Sequence, residues 1–289
     1  MLNYFLLFLT MAASAMITVG TRLYRSRTAG CQDADALYNI LVPASATLGW
    51  LVVFLFDPSF DPRVLLYAAG YGAGYTCFTL GMLGALKHGP TSVTALVKQL
   101  ALVGVSVWGF IFWGAPVTVI SVVGILLIVV SLVLCLLKPG EGGGYRLGRW
   151  AFYALLITVG NAGCSIIQRY QQMAMNYEYK NAFMMFGVLI STVVCLAIGL
   201  GGTRRDWGKA FCRGWYGPFL AGCSSTFANV CILVLIKRQM SSTVIYPGVA
   251  VGGLILTTLV SFFFFRERLR PLGWCGLAVG TVALVLLNL

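Results

Sequence analysis

The sequence predicts an all-α integral membrane protein in which ten transmembrane helices form two inverted five-helix repeats. Of its 289 residues, 59% are hydrophobic and only 10% are charged, whereas soluble chains carry about 25% charged residues. Apolar runs of about 20 residues, the length that crosses a hydrocarbon layer of about 30 Å, follow one another along the chain. A glycine-rich break near the middle divides these runs into two equal sets.

Ten runs have the length and hydropathy of membrane-spanning helices. The predicted spans are Tyr4–Gly20, Tyr38–Phe56, Val64–Leu86, Val93–Trp113, Val117–Leu137, Ala151–Tyr170, Ala182–Leu200, Tyr216–Ile236, Val244–Phe265 and Leu272–Leu289. The first run has no cleavage-site pattern after a basic segment, so we expect a span and not a signal peptide. Most loops are only a few residues long, which forces neighbouring helices to run antiparallel.

The glycine-rich break is the segment Pro139–Gly144, with the sequence PGEGGG. It is the one flexible linker that the composition predicts. We therefore expect a first repeat at 1–138, a linker at 139–150 and a second repeat at 151–289. Because each set holds an odd number of spans, the second enters the membrane in the opposite sense, which is the inverted plan of many secondary transporters.

The carboxyl-terminal parts of the two predicted halves resemble each other. When the chain is displaced by 152 residues, Gly89–Leu137 lies over Ser241–Leu289 without a gap, and Thr, Phe and Gly residues coincide. The matched spacing supports an internal repeat more strongly than matched apolar letters do. The alternative is two unrelated five-helix halves.

Lys98 is the one charged residue that lies deep within an apolar run. It belongs to the segment Thr91–Trp113 and follows Pro90 by eight residues, which places it about 12 Å into the hydrocarbon layer. A lysine at that depth costs about 2.5–3.5 kcal/mol on insertion scales. We expect its ammonium group to meet a negative group on a substrate. The alternative is that the side chain snorkels to the nearer interface without a role.

Other polar residues within the predicted spans are candidates for lining a substrate pocket. They are Tyr71, Tyr75, Asn161, Gln168, Asn229 and Tyr246. The two tyrosines of span three share a helix face with Thr79, the pair in span six lies two turns apart, and Asn229 follows Ser225 by one turn. Tyr246 opens span nine just before Pro247, which frees backbone carbonyl groups. For each residue the alternative is an interhelical hydrogen bond, worth about 0.6 kcal/mol.

Several classes of chemistry are not favoured by the sequence. The eight acidic residues all lie in predicted loops or at span ends, so no buried carboxylate is expected to bind a cation or carry a proton. The nine cysteines and the single histidine, His88, show no metal-ligand spacing, and we expect neither a metal nor a cofactor. Motifs of hydrolases, zinc proteases and phosphate-binding loops are missing from the sequence. We therefore do not expect an enzyme.

The segment from Phe262 to Leu287 reads FFFFRERLRPLGWCGLAVGTVALVLL: a Phe-rich span end, a Glu in a tight turn, and glycines opening the last span. In this pattern, and in its ten spans and central linker, the chain resembles the EamA-like transporters of the drug/metabolite transporter superfamily. The resemblance implies a secondary transporter with a central cavity between its halves. Lys98 also lies where the related sugar-phosphate carriers have a lysine. The first repeat departs from the pattern, since it has Ala115 where the second repeat has Glu267. The second repeat has Ala250 where the first has Lys98, so a full phosphate clamp is not expected.

These features predict a carrier of a small anionic or zwitterionic metabolite, such as an amino acid or organic acid, in the cell membrane. A lipid flippase and a non-transporting scaffold are the alternatives. The net charge of +12 comes from residues between apolar runs, which favours anionic lipid over nucleic acid as a partner. Fourteen of the twenty basic residues follow odd-numbered spans. That count predicts both termini outside the cell, whereas the resemblance implies cytoplasmic termini.

Overall fold

The regular structure of the described residues is entirely helical. The computed structural model describes residues 2–88, 91–113, 118–136, 147–202, 206–238, 240, 245, 248–249, 252–253, 255–257, 259–260, 263 and 271–286. The helices are α1 (Leu2–Arg27), α2 (Ala34–Phe56), α3 (Val64–His88), α4 (Thr91–Phe112), α5 (Val119–Leu136), α6 (Leu147–Ala174), α7 (Lys180–Leu200), α8 (Trp207–Gly214), α9 (Tyr216–Lys237) and α10 (Pro271–Leu286). The described residues of the ninth predicted span, from 245 to 263, are helical as well.

Within these residues, five helices are long and apolar enough to cross a membrane, and the chain is a multi-pass membrane protein. The five spans are Leu2–Arg27, Ala34–Phe56, Gly148–Ala174, Lys180–Leu200 and Tyr216–Lys237. A hydrocarbon layer of about 30 Å needs about 20 helical residues, and each of the five meets that length.

Two features of the helices differ from the sequence prediction. The first span continues from Gly20 to Arg27, because no proline or glycine follows until Gly30 and because basic residues suit the last turn of a helix. The loop between spans seven and eight, for which the sequence predicted no helix, contains the short helix α8. This helix buries Ala210 and Gly214, one turn apart, and exposes Lys209. An eight-residue helix of this kind carries too few apolar residues for a hydropathy pattern to reveal it.

The helices that surround the centre of the bundle form a ring. Helix α4 packs on α6, α6 on α3, α3 on α7, α7 on α2, α2 on α9 and α9 on α1. Lys98 of α4 closes the ring by bonding to Ser14 of α1. Helices α5 and α10 pack on each other, and Ser131 donates a hydrogen bond to the carbonyl oxygen of Gly276. In the ninth predicted span, Val249 packs near Leu7 of α1.

Glycines allow the closest helix crossings in this ring. A β-carbon added at Gly20 of α1 would lie 2.6 Å from the carbonyl oxygen of Gly217 in α9. A β-carbon added at Gly160 of α6 would lie 2.6 Å from the carbonyl oxygen of Gly74 in α3. Small residues bring helix backbones together in this way within lipid, where dispersion contacts and not the hydrophobic effect drive association.

Buried clusters close the ring near both of its ends. At one end, Trp50, Phe183 and Met184 belong to a cluster shared by α2, α3 and α7. At the other end, the hydroxyl groups of Tyr38 and Thr21 lie 2.5 Å apart, and the Tyr24 hydroxyl donates to the carbonyl oxygen of Ala34 at 2.7 Å. The candidate site lies in the middle of the bundle, between these two clusters.

Candidate functional site

A cavity of about 100 Å³ lies inside the helix ring, between α1, α3, α4, α6, α9 and the ninth predicted span. Six of the seven residues predicted to bind substrate line it: Tyr71, Tyr75, Lys98, Asn161, Gln168 and Asn229. The seventh, Tyr246, lies outside the described residues, as do Pro247, Ala250, Glu267 and Ala115. The structure thus brings together polar residues from four helices that are distant in the sequence. Their binding of a substrate stays a prediction.

Lys98 is buried within the protein, with 6% of its surface exposed. Its ammonium nitrogen lies 3.3 Å from the Ser14 hydroxyl oxygen and 3.4 Å from the Ser14 carbonyl oxygen. A lysine carries three donors, so these two long hydrogen bonds leave one donor for a ligand. None of the described residues that line the cavity is acidic. A buried cation without a carboxylate partner is unfavourable by itself and creates a site that favours an anion.

Asn161 holds the helix that carries Lys98. Its side-chain amide donates a hydrogen bond to the backbone carbonyl oxygen of Lys98 at 3.1 Å, which fixes α4 against α6. The alternative considered from the sequence, an interhelical hydrogen bond, therefore applies to this residue. The amide oxygen of Asn161 is left to accept a hydrogen bond from a ligand within the cavity.

Aromatic rings form one wall of the cavity. The rings of Tyr71 and Tyr75 stack with centroids 6.1 Å apart and an angle of 22°, and Tyr71 meets the edge of Phe183 at 5.3 Å. The Tyr75 hydroxyl donates to the Ser225 hydroxyl at 3.3 Å, linking α3 to α9. Thr79, which shares the predicted face of the two tyrosines, instead donates to the Tyr75 carbonyl oxygen at 2.8 Å within its own helix.

The hydrogen bond between Tyr75 and Ser225 can be tested through its contribution to stability. We expect Tyr75→Phe to lower the free energy of unfolding by about 0.6 kcal/mol, the average for an interhelical hydrogen bond in a membrane protein. Thermal unfolding of the single variants and of Tyr75→Phe/Ser225→Ala would measure it as a double-mutant cycle. Additive losses would contradict a bond between the two hydroxyl groups.

Gln168 and Asn229 complete the polar lining. The Gln168 amide nitrogen lies 3.8 Å from the sulfur of Met184, which is a weak acceptor. The Asn229 amide donates to the Ser225 carbonyl oxygen at 2.8 Å within α9. Because each of these contacts uses the amide nitrogen, the side-chain oxygen of each residue can accept a hydrogen bond from a ligand.

The cavity also contains residues that were not predicted. Cys164 and Ser165 lie between Asn161 and Gln168 on the same face of α6. They follow Asn161 by three and four residues, so the helical period predicts that they share its face. Ser14 carries no such signal, because it lies in a run of small residues with the sequence AASA. Only its contact with Lys98 in the structure identifies Ser14 as a residue of the cavity.

The groups that line the cavity suit recognition by charge and by hydrogen bonds. They combine one ammonium group with hydroxyl groups, amides and aromatic faces. Among the described residues, no group of three His, Cys, Asp or Glu side chains lies together in a way that could hold a metal ion. Such a site can bind a small polar molecule that carries a negative charge.

Comparisons with known proteins extend to the fold alone. No family model matches the chain and no curated protein matches it. Among solved structures, 28 chains match in fold. One of these, described only as the crystal structure of a protein, covers 97% of this chain and 95% of its own length with a TM-score of 0.66 and 14% sequence identity. At that identity the likeness establishes a shared fold over nearly the whole chain.

Proposed function

We propose that the chain is a secondary transporter that moves a small anionic or zwitterionic metabolite across the cell membrane by alternating access. The observation that carries this proposal is Lys98, a buried cation in a central cavity whose described lining holds no carboxylate. An anionic group on a substrate would supply the missing negative charge, and the remaining polar groups would orient it. Amino acids and organic acids carry such a group.

The size of the cavity supports a small substrate. A water molecule needs about 10–15 Å³ of comparable space, so a cavity of about 100 Å³ accommodates on the order of ten non-hydrogen atoms. That is the size of a small amino acid or a short organic acid, and it is smaller than a nucleotide sugar.

The pattern of helix packing supports ten spans in two inverted repeats, the architecture of the EamA-like transporters. If each span of the first half corresponds to the span five places later, the α1–α9 pair maps onto the α6–α3 pair. The α3–α7 pair maps onto α9–α2, while α2–α7 and α5–α10 each map onto themselves. All of these pairs pack together. The contact of α4 with α6 likewise corresponds to that of the ninth predicted span with α1.

The two buried clusters at the ends of the ring support alternating access. One is formed by α2, α3 and α7, and the other joins the ends of α1, α2 and α9. In an inverted repeat, exchanging the two halves also exchanges the two sides of the membrane. We propose that each cluster opens in turn while the cavity around Lys98 stays in place.

Transport by the purified protein in liposomes tests the proposal. We expect wild type to exchange a radiolabelled small carboxylate or amino acid for the unlabelled compound, and organic cations to be excluded. Liposomes without protein are the control. A fluorescent lipid added to the same vesicles measures flipping: movement of the lipid alone would replace transport with the flippase alternative. Movement of neither class would favour a scaffold.

A further inference from the structure

The protein contributes one formal charge to the central cavity. Lys98 is the only charged side chain among the described residues that line it. The sequence around the two predicted spans that adjoin the cavity supplies no other, because residues 89–137 contain no charged residue besides Lys98 and residues 241–265 contain none. The charge that a ligand brings therefore decides whether the occupied cavity is neutral.

Three side-chain amide oxygens in the same cavity lack a described donor. They belong to Asn161, Gln168 and Asn229, each of which uses its amide nitrogen for a contact within the protein. The Gln168 side chain lies in a residue that is only 3% exposed. A buried acceptor without a donor is unfavourable, so these oxygens favour a ligand that donates hydrogen bonds.

The described backbone carbonyl groups around the cavity are largely occupied. The Lys98 carbonyl oxygen accepts a hydrogen bond from the Asn161 amide at 3.1 Å. The Tyr71 carbonyl oxygen accepts one from the Cys164 thiol at 3.5 Å, and the Ser14 carbonyl oxygen lies 3.4 Å from the Lys98 ammonium nitrogen. A buried ammonium group on a ligand would need a carboxylate or several free carbonyl groups, and these residues provide neither.

The charge of the ligand separates three classes of small acid. A monoanion neutralises Lys98. A zwitterion leaves one positive charge uncompensated, and a dianion leaves one negative charge uncompensated. Because an uncompensated charge is costly in an interior of low dielectric constant, the cavity favours a ligand with a single negative charge and no ammonium group.

We propose that the substrate is a small hydroxy-monocarboxylate, which has one carboxylate, at least one hydroxyl group and no ammonium group. This inference rests on the transport proposed above and narrows its substrate class. The carboxylate binds the Lys98 ammonium group, and the hydroxyl groups donate to the amide oxygens. Asn161 and Gln168 lie about 10 Å apart along α6, so these acceptors are spread along the ligand.

The test compares glycerate, serine, tartronate and propionate as ligands of the purified wild-type protein, with dissociation constants taken from thermal stabilisation at increasing concentration. Serine has an ammonium group in place of one hydroxyl group of glycerate. Tartronate has a second carboxylate in place of the terminal hydroxymethyl group, and propionate has no hydroxyl group. The four compounds therefore vary charge and hydrogen bonding within one small carbon skeleton.

Glycerate is expected to bind most tightly. Its affinity should exceed those of serine and tartronate by about tenfold or more, because each of these leaves a buried charge uncompensated. It should exceed that of propionate by about tenfold, because propionate cannot donate to the amide oxygens.

A variant that adds a carboxylate to the cavity should reverse the preference. In Asn229→Asp the side chain keeps its shape and compensates Lys98, so serine should bind more tightly than glycerate. Gln32→Glu is the matched control, since this exposed residue between α1 and α2 does not line the cavity, and it should keep the wild-type order. If Asn229→Asp does not fold, Gln168→Glu takes its place with the same expected reversal.

Several results would overturn this inference while leaving transport of an anionic or zwitterionic metabolite in place. They are binding of serine, tartronate or propionate by wild type at least as tight as that of glycerate, binding of none of the four, and an unchanged order in the carboxylate variant. Failure of the proposed function looks different: the protein would bind glycerate with the expected preference, yet liposomes that contain it would exchange no solute.

Discussion

Replacement of Lys98 by Met is expected to stabilise the unliganded protein and to abolish its response to anionic ligands. Met has a side chain of similar length without a charge, so the variant removes a buried ammonium group that has no carboxylate partner. We expect the free energy of unfolding to rise by about 1–3 kcal/mol, within the range seen when buried charges are replaced by apolar groups. The loss of two long hydrogen bonds to Ser14 offsets part of the gain.

The second expected effect of Lys98→Met is the loss of stabilisation by anionic ligands. An anionic ligand at about 100 times its dissociation constant should add about 2.7 kcal/mol of apparent stability to wild type. The same ligand should add nothing to Lys98→Met. Thermal unfolding in detergent, with a panel of anionic, zwitterionic and cationic metabolites, measures both effects.

Lys209→Met is the matched control for the removal of a lysine. Lys209 lies in α8 with 73% of its side chain exposed and pairs with Asp206 at 3.1 Å, and such surface pairs contribute about 0–1 kcal/mol. Its ligand response should equal that of wild type. Equal responses of wild type and Lys98→Met would show that Lys98 is structural and would remove the main support for an anionic substrate.

Replacement of Gly160 by Ala is expected to destabilise the crossing of α6 and α3 strongly. The added β-carbon would lie 2.6 Å from both the Gly74 carbonyl oxygen and the Phe78 amide nitrogen. Both neighbours are backbone atoms, so the clash is relieved only if the two helices move apart. Overpacking of this kind costs about 1–3 kcal/mol or more, and we expect a corresponding fall in the melting temperature.

Gly163 provides the control on the same helix. A β-carbon there has no neighbour within 4 Å, and alanine has the higher helix propensity by about 1 kcal/mol. Gly163→Ala should therefore leave stability unchanged or raise it. Similar losses for both variants would indicate that α6 does not approach α3 through Gly160.

Gly217→Ala extends this test to the proposed repeat. The crossing of α9 and α1 corresponds to that of α3 and α6 under exchange of the two halves, and a β-carbon at Gly217 would lie 2.7 Å from the carbonyl oxygen of Gly20. We expect a loss of stability of the same order as for Gly160→Ala. A neutral effect would show that the two crossings are not equivalent.

The site could be anticipated from the sequence where helical spacing carries the information. Asn161 and Gln168 both line the cavity because residues seven apart share a helix face. Lys98 stood out because a charge is rare at that depth in an apolar run. Ser14 could not be anticipated, since a serine among alanines in a span is ordinary and its importance depends on a partner 84 residues away.

The sequence by itself determined that this is a helical, multi-pass membrane protein with polar residues at regular positions in its spans, because hydropathy and helical period are local properties. The tertiary structure alone decided which helices are neighbours, and so which polar residues share a cavity. It also revealed the short helix α8. In lipid, close packing at small residues such as Gly160 and Gly217 determines which helices become neighbours. Hydropathy does not distinguish one apolar face of a helix from another.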